Sequence, residues 1–132
     1  MSARIWKEKA KRQFQLYIRL RDANKNGICK CCTCGKFMHY KECDAGHFIR
    51  AVNMTVCFDE RNVHAQCKGC NHYQNGAWEK YMLFMEIMHG PKVIKELNMF
   101  RGVAVKRSAM DYKYIYDEYK KKAEQLKIEK GI

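Results

Sequence analysis

The chain has 132 residues, of which 26 are lysine or arginine and 14 are acidic, giving a net charge of +12. This length suits one domain with a modest core. We expect neither a membrane-spanning segment nor a secretory signal, because no apolar run approaches the roughly 20 residues that a spanning helix needs and the first residues are charged. We therefore expect a cytoplasmic protein whose eight cysteines bind metal rather than form disulfides.

The basic residues are concentrated at the two ends of the chain. Residues 1–30 carry nine basic and two acidic side chains, and residues 77–132 carry twelve and eight. Residues 31–76 carry five and four and are nearly neutral. This distribution favours a polyanionic partner for the flanking parts, with nucleic acid ahead of an anionic membrane surface.

The first predicted element is a basic helix over residues 3–24, within an N-terminal part of residues 1–27. Apolar residues at helical spacing and an Asn-Lys-Asn-Gly stop define it. Its polar face carries Lys7, Lys9, Lys11, Arg12, Arg19 and Arg21. We expect this face to follow DNA phosphates, the alternative being a solvated surface. The predicted DNA contacts of the whole chain are Lys7, Lys11, Arg12, Arg19, Arg50 and Lys68.

A central part, residues 28–76, predicts a small metal-bound unit. It contains two Cys-x-x-Cys pairs with 32 residues between them, and four such thiolates can form a tetrahedral zinc site. The predicted zinc ligands are Cys31, Cys34, Cys67 and Cys70. The zinc would be structural, because four protein thiolates leave no position open for substrate.

The choice of zinc-binding cysteines in this central part has one alternative. Cys29 and Cys32 have the same spacing and compete for the zinc, but Gly35 favours the predicted pair because it permits positive φ directly after the second cysteine. Residues 47–52 and 56–63 have the composition of short strands.

The C-terminal part, residues 77–132, is predicted to be helical. An apolar helix over residues 77–89 ends at a Gly-Pro step, and a short helix follows to Asn98. Ser108 and Asp111 predict the cap of a last helix that ends near residue 130. Tyr112, Tyr116, Tyr119, Ala123 and Leu126 follow a 4-3-4-3 spacing that a partner helix could fill, so a homodimer is possible.

Three polar residues in the central part have a characteristic spacing. His47 precedes Asn62 by 14 intervening residues, and Asn62 precedes Asn71 by eight. His47 and Asn62 lie between the two cysteine pairs, and Asn71 directly follows the second pair. This arrangement resembles the HNH (ββα-metal, treble-clef-like) nuclease family, with asparagine in place of the final histidine. The stretches CCTCG, DAGHF and NVHAQCKGCNHYQNG are most similar to the NinG/Rap group of phage recombination nucleases, and CKGCN is similar to the endonuclease VII resolvases.

The resemblance covers residues 31–76, and the flanking helices match only in general character. It implies a small α+β fold, stapled by zinc, in which a ββα-metal core is flanked by helices within a single domain of residues 1–132. It also implies an endodeoxyribonuclease that acts on branched recombination DNA such as a Holliday junction, in the host cytoplasm if the protein is phage-encoded. The expected products carry 5′-phosphate and 3′-hydroxyl ends.

The resemblance also assigns roles. His47 would be the general base, because a histidine with an ordinary pKa of ~6.5 can accept a proton at neutral pH. Asp44 and Asn71 would hold Mg²⁺ or Mn²⁺, which prefer a few oxygen ligands. Asn62 would brace the hairpin and orient the base.

One position departs from the family pattern. Many HNH sites have a metal ligand directly before the base histidine, and this sequence has Gly46 there. His64 or His72 could therefore complete the metal site, although both also read as polar surface residues. His39 and His89 show no partner in the sequence.

Two other functions compete with a junction nuclease. A treble-clef zinc finger that only binds nucleic acid explains the zinc and the charge, but leaves the His47 and Asn71 spacing unused. A general HNH nickase on duplex DNA uses the same residues without a preference for branches. A zinc-stapled protein-interaction domain is a third possibility, suggested by the methionine-rich helix and the tyrosine-rich C-terminal part.

Overall fold

The computed structural model describes residues 1–50 and 55–132 and is an α+β fold with short antiparallel strands, as predicted. Its elements in chain order are α1 (Ala3–Asp22), β1 (Ile28–Lys30), β2 (Phe37–His39), β3 (Asp44–His47), β4 (Val63–Gln66), α2 (Trp78–Met88), α3 (Pro91–Met99) and α4 (Ala109–Lys130). A 3₁₀ turn at Glu60–Asn62 precedes β4, and a π-helical turn at Gly69–Tyr73 follows it.

The strands form two separate hairpins. β1 pairs with β2, and β3 pairs with β4 in a register that sets Asp44 opposite Gln66 and His47 opposite Val63. The predicted strands at 47–52 and 56–63 are therefore wrong, because the true strands lie at 44–47 and 63–66; residues 51–54 lie outside the described residues. Of the residues between them that the structure describes, 48–50 and 55–62 form no ladder, and Asn62 bonds the backbone of Ile49 and Val56 instead.

The long helices α1 and α4 pack along each other. Phe14 meets Tyr119 edge to face with ring centroids 4.8 Å apart, and Trp6 lies 5.5 Å from Tyr116. The tyrosine seam of α4 is thus filled by α1 of the same chain, so the expectation that a partner helix fills it is wrong. Helical periodicity identifies a buried face but does not say which helix covers it.

Helix boundaries follow local signals closely. Ser108 accepts from the backbone of Asp111, and Asp111 accepts from the backbone of Ser108, which is the predicted capping box. Pro91 begins α3. α2 buries Tyr81 but leaves its far side apolar and exposed, with Ile87 79% accessible. No helix in the described ranges is both long enough and apolar enough to cross a membrane.

Candidate functional site

The four predicted zinc ligands meet at one point. The sulfur atoms of Cys31, Cys34, Cys67 and Cys70 all lie within 4.8 Å of one another. Gly35 has the predicted positive φ, +79°, where the first turn closes. The cluster joins the β1–β2 hairpin to the turn after β4, and a four-thiolate set at this spacing fits a structural zinc ion.

Backbone N–H groups donate to two of these sulfur atoms, as they commonly do to metal-bound thiolates. The amide of Cys67 lies 3.3 Å from the Cys31 sulfur, and the amide of Cys70 lies 3.4 Å from the Cys67 sulfur. Burial raises the pKa of Cys31, but the amide of Cys67 and the hydroxyl of Thr33, together with the backbone of Thr33 and Cys34, outweigh it and lower the pKa to about 6. The ionised form of Cys31 is therefore favoured at neutral pH, as zinc binding requires, whereas burial raises the pKa of Cys70 to about 12.

The competing cysteines lie elsewhere. Cys29 is fully buried, donates to the carbonyl of Arg19 at 3.2 Å and packs with Cys43 beneath α1. Cys32 contacts the cluster of apolar residues around Tyr81 instead. Cys29 lies on β1, whereas Cys31 and Cys32 come after its end at Lys30.

Asp44, at the start of β3, is the centre of a polar cluster behind the last zinc ligand. Its Oδ1 lies 2.8 Å from Nζ of Lys68, and its Oδ2 lies 3.0 Å from Nδ2 of Asn71 and 3.0 Å from Nε2 of His72. Burial alone would raise the pKa of Asp44, but the contacts with Lys68 and Asn71 more than offset it and lower the pKa. The structure therefore brings the two predicted magnesium ligands together, with the Asp44 carboxylate ionised and the Asn71 amide nitrogen donating to it.

This cluster opens into a polar cavity of about 400 Å³. The basic side chains around it are Arg19, Lys41 and Lys68. One carboxylate among several cations suits a site that receives a polyanion together with a metal ion.

The histidines separate into two groups. His72 stands beside Asp44, whereas His64 is 5% exposed and lies 3.1 Å from the hydroxyl of Tyr81 and 3.0 Å from Nε2 of His89. His89 therefore has a partner, contrary to the sequence interpretation. Its partner comes from a strand 25 residues away, which periodicity in α2 does not reveal. His39 lies over Tyr40 and accepts from the backbone of Lys41.

His47, at the end of β3, is oriented by one hydrogen bond. Its Nε2 lies 3.0 Å from the carbonyl oxygen of Cys57. A carbonyl oxygen only accepts, so Nε2 carries the proton and Nδ1 is the basic nitrogen. Burial lowers the pKa of His47, which keeps the imidazole neutral.

His47 and Asp44 do not point into the same cavity. They are three residues apart on a strand, so their side chains leave opposite faces and their Cα atoms are separated by roughly 10 Å. Phe14 of α1 packs with the strand residues between them, and α1 runs beside the whole of β3.

A row of α1 side chains connects the two ends of β3. Lys11, Gln15 and Arg19 are spaced by four residues and share one helix face. Lys11 acts electrostatically on His47, and Gln15 and Arg19 line the cavity at Asp44. The row spans about 12 Å, close to the length of β3, so a phosphate backbone along it would pass both residues.

Asn62 is fully buried and pins the loop next to His47. Its Oδ1 accepts from the amide of Ile49 at 2.8 Å, and its Nδ2 donates to the carbonyl oxygens of Ile49 and Val56 at 2.9 and 3.1 Å. The carbonyl of Asn62 also accepts from the amide of Phe48 at 2.8 Å. These bonds hold the residues that follow the histidine; a role for them in catalysis stays a prediction.

The departure at Gly46 has a steric cause. A Cβ there would lie 2.0 Å from Oε1 of Gln66, whose amide nitrogen is anchored on the carbonyl of Gly76 at 2.8 Å. Tyr81 donates to the Gly46 carbonyl at 2.7 Å from the same side. A metal-binding side chain therefore has no room directly before His47.

Two of the basic residues are engaged inside the fold. Arg21, predicted on the phosphate-binding face, donates to the carbonyl oxygens of Glu60 and Val63 at 2.8 and 2.7 Å, so that assignment is wrong. A helical wheel places it beside the polar face, but these carbonyls lie within its reach. Arg19 donates to the Tyr40 carbonyl at 2.8 Å and still lines the Asp44 cavity.

Comparison with known proteins identifies the family. The family model of the bacteriophage lambda NinG protein matches residues 1–129. The chain belongs to the NinG family. Its relatives include the ninG proteins of Escherichia phage 933W (30% identical) and Escherichia phage lambda (29% identical), each over 93 residues.

These alignments cover 70% of this chain but only 44% and 43% of those relatives, so the chain spans less than half of their length. The ninG protein of Salmonella phage P22 is 30% identical with the same 93-residue extent. No solved structure matches the chain. The NinG relationship predicted from residues 31–76 is thus confirmed and extends through the flanking helices.

Proposed function

We propose that this NinG-family chain is a metal-dependent DNA endonuclease of the HNH type, with a ββα-metal core. The observation that carries the proposal is the contact of Asp44 with Asn71, which joins β3 to the residue directly behind the last zinc cysteine. The contact brings together the two residues that the family resemblance assigns to a catalytic cation. It lies in a cavity whose other charged residues are basic, as a phosphodiester substrate requires.

The residues around Asp44 fit a hard divalent cation. Asp44 offers a carboxylate that is 18% exposed, and Asn71 offers an amide oxygen once its side chain turns. His72 lies close enough to join them. Bound Mg²⁺ or Mn²⁺ would stabilise negative charge on the phosphoryl and leaving oxygens. Lys68 would exchange its partner from Asp44 to a DNA phosphate.

His47 is proposed as the general base. Its Nδ1 would take the proton of the attacking water, while the Cys57 carbonyl holds the opposite nitrogen and so fixes the tautomer. Asn62 acts as a positioning residue through its bonds to the loop after Phe48. Since His47 and Asp44 leave opposite faces of β3, this role requires substrate binding to bring the imidazole and the ion to one phosphate.

The position of His72 favours a second candidate for the base. Its Nε2 lies 3.0 Å from Asp44, and the carboxylate orients the imidazole. Parallel assays of His47→Ala and His72→Ala with added Mg²⁺ separate the two. We expect His47→Ala to keep zinc and fold but to lose at least the about 100-fold typical of a general base. An unchanged cleavage rate in His47→Ala, together with a lost rate in His72→Ala, would assign the general base to His72 instead.

The substrate is proposed to be branched DNA, gripped through backbone phosphates. Lys7 extends the α1 row by one turn and Arg12 lies next to Lys11, and such contacts carry no sequence information. Cleavage rates on a four-way junction, a linear duplex and a single strand test the preference. Equal rates on all three would leave a general HNH nickase, and absent cleavage with retained binding would leave a zinc-finger module.

A homodimer stays a prediction that now rests on α2 alone. Leu83 and Ile87 are 57% and 79% exposed on the side of α2 away from the core. Paired nicks across a junction require two sites related by a two-fold axis, which a symmetric dimer supplies. The mass of the protein in solution, with Ile87→Lys as the matched variant, tests it.

A further inference from the structure

A second cavity lies on the side of the loop that follows His47. It has a volume of about 430 Å³, within the range of roughly 300–1,000 Å³ that is usual for small-molecule sites. It is lined by Phe48, Ile49, Arg50, Trp78, Arg101, Gly102 and Ala104. None of these has a part in the chemistry proposed above except Arg50, a predicted DNA contact.

The floor of this cavity is aromatic. Phe48 is buried, and Trp78 lies over it with the two rings 15° from parallel and their centroids 6.2 Å apart. Trp78 itself is 49% exposed. A large flat ring that is held from below and open above is a stacking platform for a further flat group.

The chain is strained at the point that aims Trp78 outward. Asn75, Gly76 and Ala77 have successive positive φ values of 49°, 86° and 50°. Two of the three have a Cβ, for which this region costs about 1 kcal/mol or more each. The strain sets the indole at the first residue of α2, immediately beside the cavity.

Two arginines flank the platform. Arg50 donates to the carbonyl of Asn75 at 2.9 Å, and Arg101 donates through Nε to Oδ1 of Asn98 at 3.1 Å. Each of these bonds engages one of the five donors of a guanidinium and fixes its direction. Both side chains are exposed, so their charge is available to a phosphate.

We propose that this cavity binds one unpaired nucleotide of the DNA substrate, with its base stacked on Trp78 and its phosphate held between Arg50 and Arg101. An apolar peptide would have no use for the two guanidinium groups. A base in a continuous duplex is already stacked on its neighbours and cannot reach the indole. Since Phe48 directly follows His47, the bound nucleotide would lie next to the proposed point of cleavage. The inference rests on the proposed function only in that DNA is the ligand.

The test measures binding without cleavage, so that it can succeed or fail independently of the nuclease proposal. Trp6→Phe leaves Trp78 as the sole tryptophan, and buffer without added Mg²⁺ or Mn²⁺ keeps the strand intact. Titration with a single-stranded oligo(dT) of about ten nucleotides should quench Trp78 fluorescence. Trp78→Ala should weaken the binding of this strand by about tenfold and that of an equally long duplex by less than about twofold, whereas Trp78→Phe should keep most of the affinity.

Tyr73→Ala is the matched control, because Tyr73 is 88% exposed and lies outside the cavity; it should change neither affinity. Arg101→Ala, an exposed change, should weaken single-strand binding with Trp78 intact. An unquenched Trp78 at saturating oligo(dT) overturns the proposal, as does an equal loss on duplex and single strand in Trp78→Ala. Zinc content and circular dichroism identify a misfolded variant. If a variant is misfolded, the fluorescence titration of the protein that keeps Trp78 decides whether the proposal stands.

Discussion

The ammonium of Lys68 lies 2.8 Å from Oδ1 of Asp44, so the proposed catalytic cation would have to compete with a side chain for its carboxylate. Lys68→Ala should remove that competition. We expect the Mg²⁺ concentration for half-maximal cleavage to fall by about two- to fivefold, since an exposed ion pair contributes up to ~1 kcal/mol. A Mg²⁺ titration of the cleavage rate measures it.

Lys41→Ala is the control for this experiment. Lys41 lines the same cavity, and its ammonium lies over the ring of Tyr40 rather than on the carboxylate. Both variants lose one positive charge near the DNA, so both should bind it more weakly. A lower Mg²⁺ requirement in both, or in neither, would contradict the role of Lys68 as the counter-ion of Asp44.

The pH dependence of cleavage should report the environment of His47. Burial lowers its pKa from the ordinary 6.5, and Lys11 lowers it further. The base is active when neutral, so kcat/KM should stay high as pH falls to 6.5 and decline only below it. This decline is the acid limb of the pH profile. Lys11→Met should move it to higher pH, because the positive charge that disfavours protonated His47 is lost.

Arg12→Met is the matched change for the pH experiment. It removes one charge from the next residue of α1, which is exposed, and should lower affinity for DNA without moving the acid limb. An acid limb that shifts equally in both variants would trace the effect to general charge rather than to the Lys11–His47 pair.

The parts of the fold that were predictable from sequence are those fixed by local chemistry. The zinc ligands follow from two Cys-x-x-Cys pairs and from the positive φ of Gly35. The start of α4 follows from the capping box of Ser108 and Asp111. In each case the signal is a short motif, because the two cysteines of each pair, like Ser108 and Asp111, are only three residues apart.

The parts that were not predictable depend on distant partners. The strand positions were misjudged because Asn62 captures the backbone at Ile49 and Val56, which composition does not show. Arg21 turns inward to carbonyls about 40 residues away. The place of His72 beside Asp44 depends on the β3–β4 register and on the zinc cluster together.

Removal of one zinc ligand should unfold the centre of the molecule. Purified protein should contain about one zinc per chain, and Cys70→Ser should lose it together with the cooperative unfolding transition. Apparent zinc binding of ~10 kcal/mol equals or exceeds the stability of a small domain. Cys32→Ser is the control, because Cys32 has the competing spacing but lies outside the cluster. Zinc loss in Cys32→Ser with full retention in Cys70→Ser would reverse the ligand assignment.

Lys130 fastens the end of α4 to the end of α1. Its Nζ lies 2.6 Å from the carbonyl oxygens of Leu20 and Ala23 and 2.9 Å from that of Arg21, at the C-terminus of α1, where a positive charge is favoured. Lys130→Met keeps the apolar stem but removes these bonds, so the free energy of unfolding should fall by about 1–3 kcal/mol. Urea denaturation measures the change, with Lys127→Met, one turn earlier, as a control expected within about 0.5 kcal/mol of the parent. Equal stability of the two variants would show that the three carbonyls are satisfied as well by water, and the packing of α4 on α1 would then depend on its tyrosines alone.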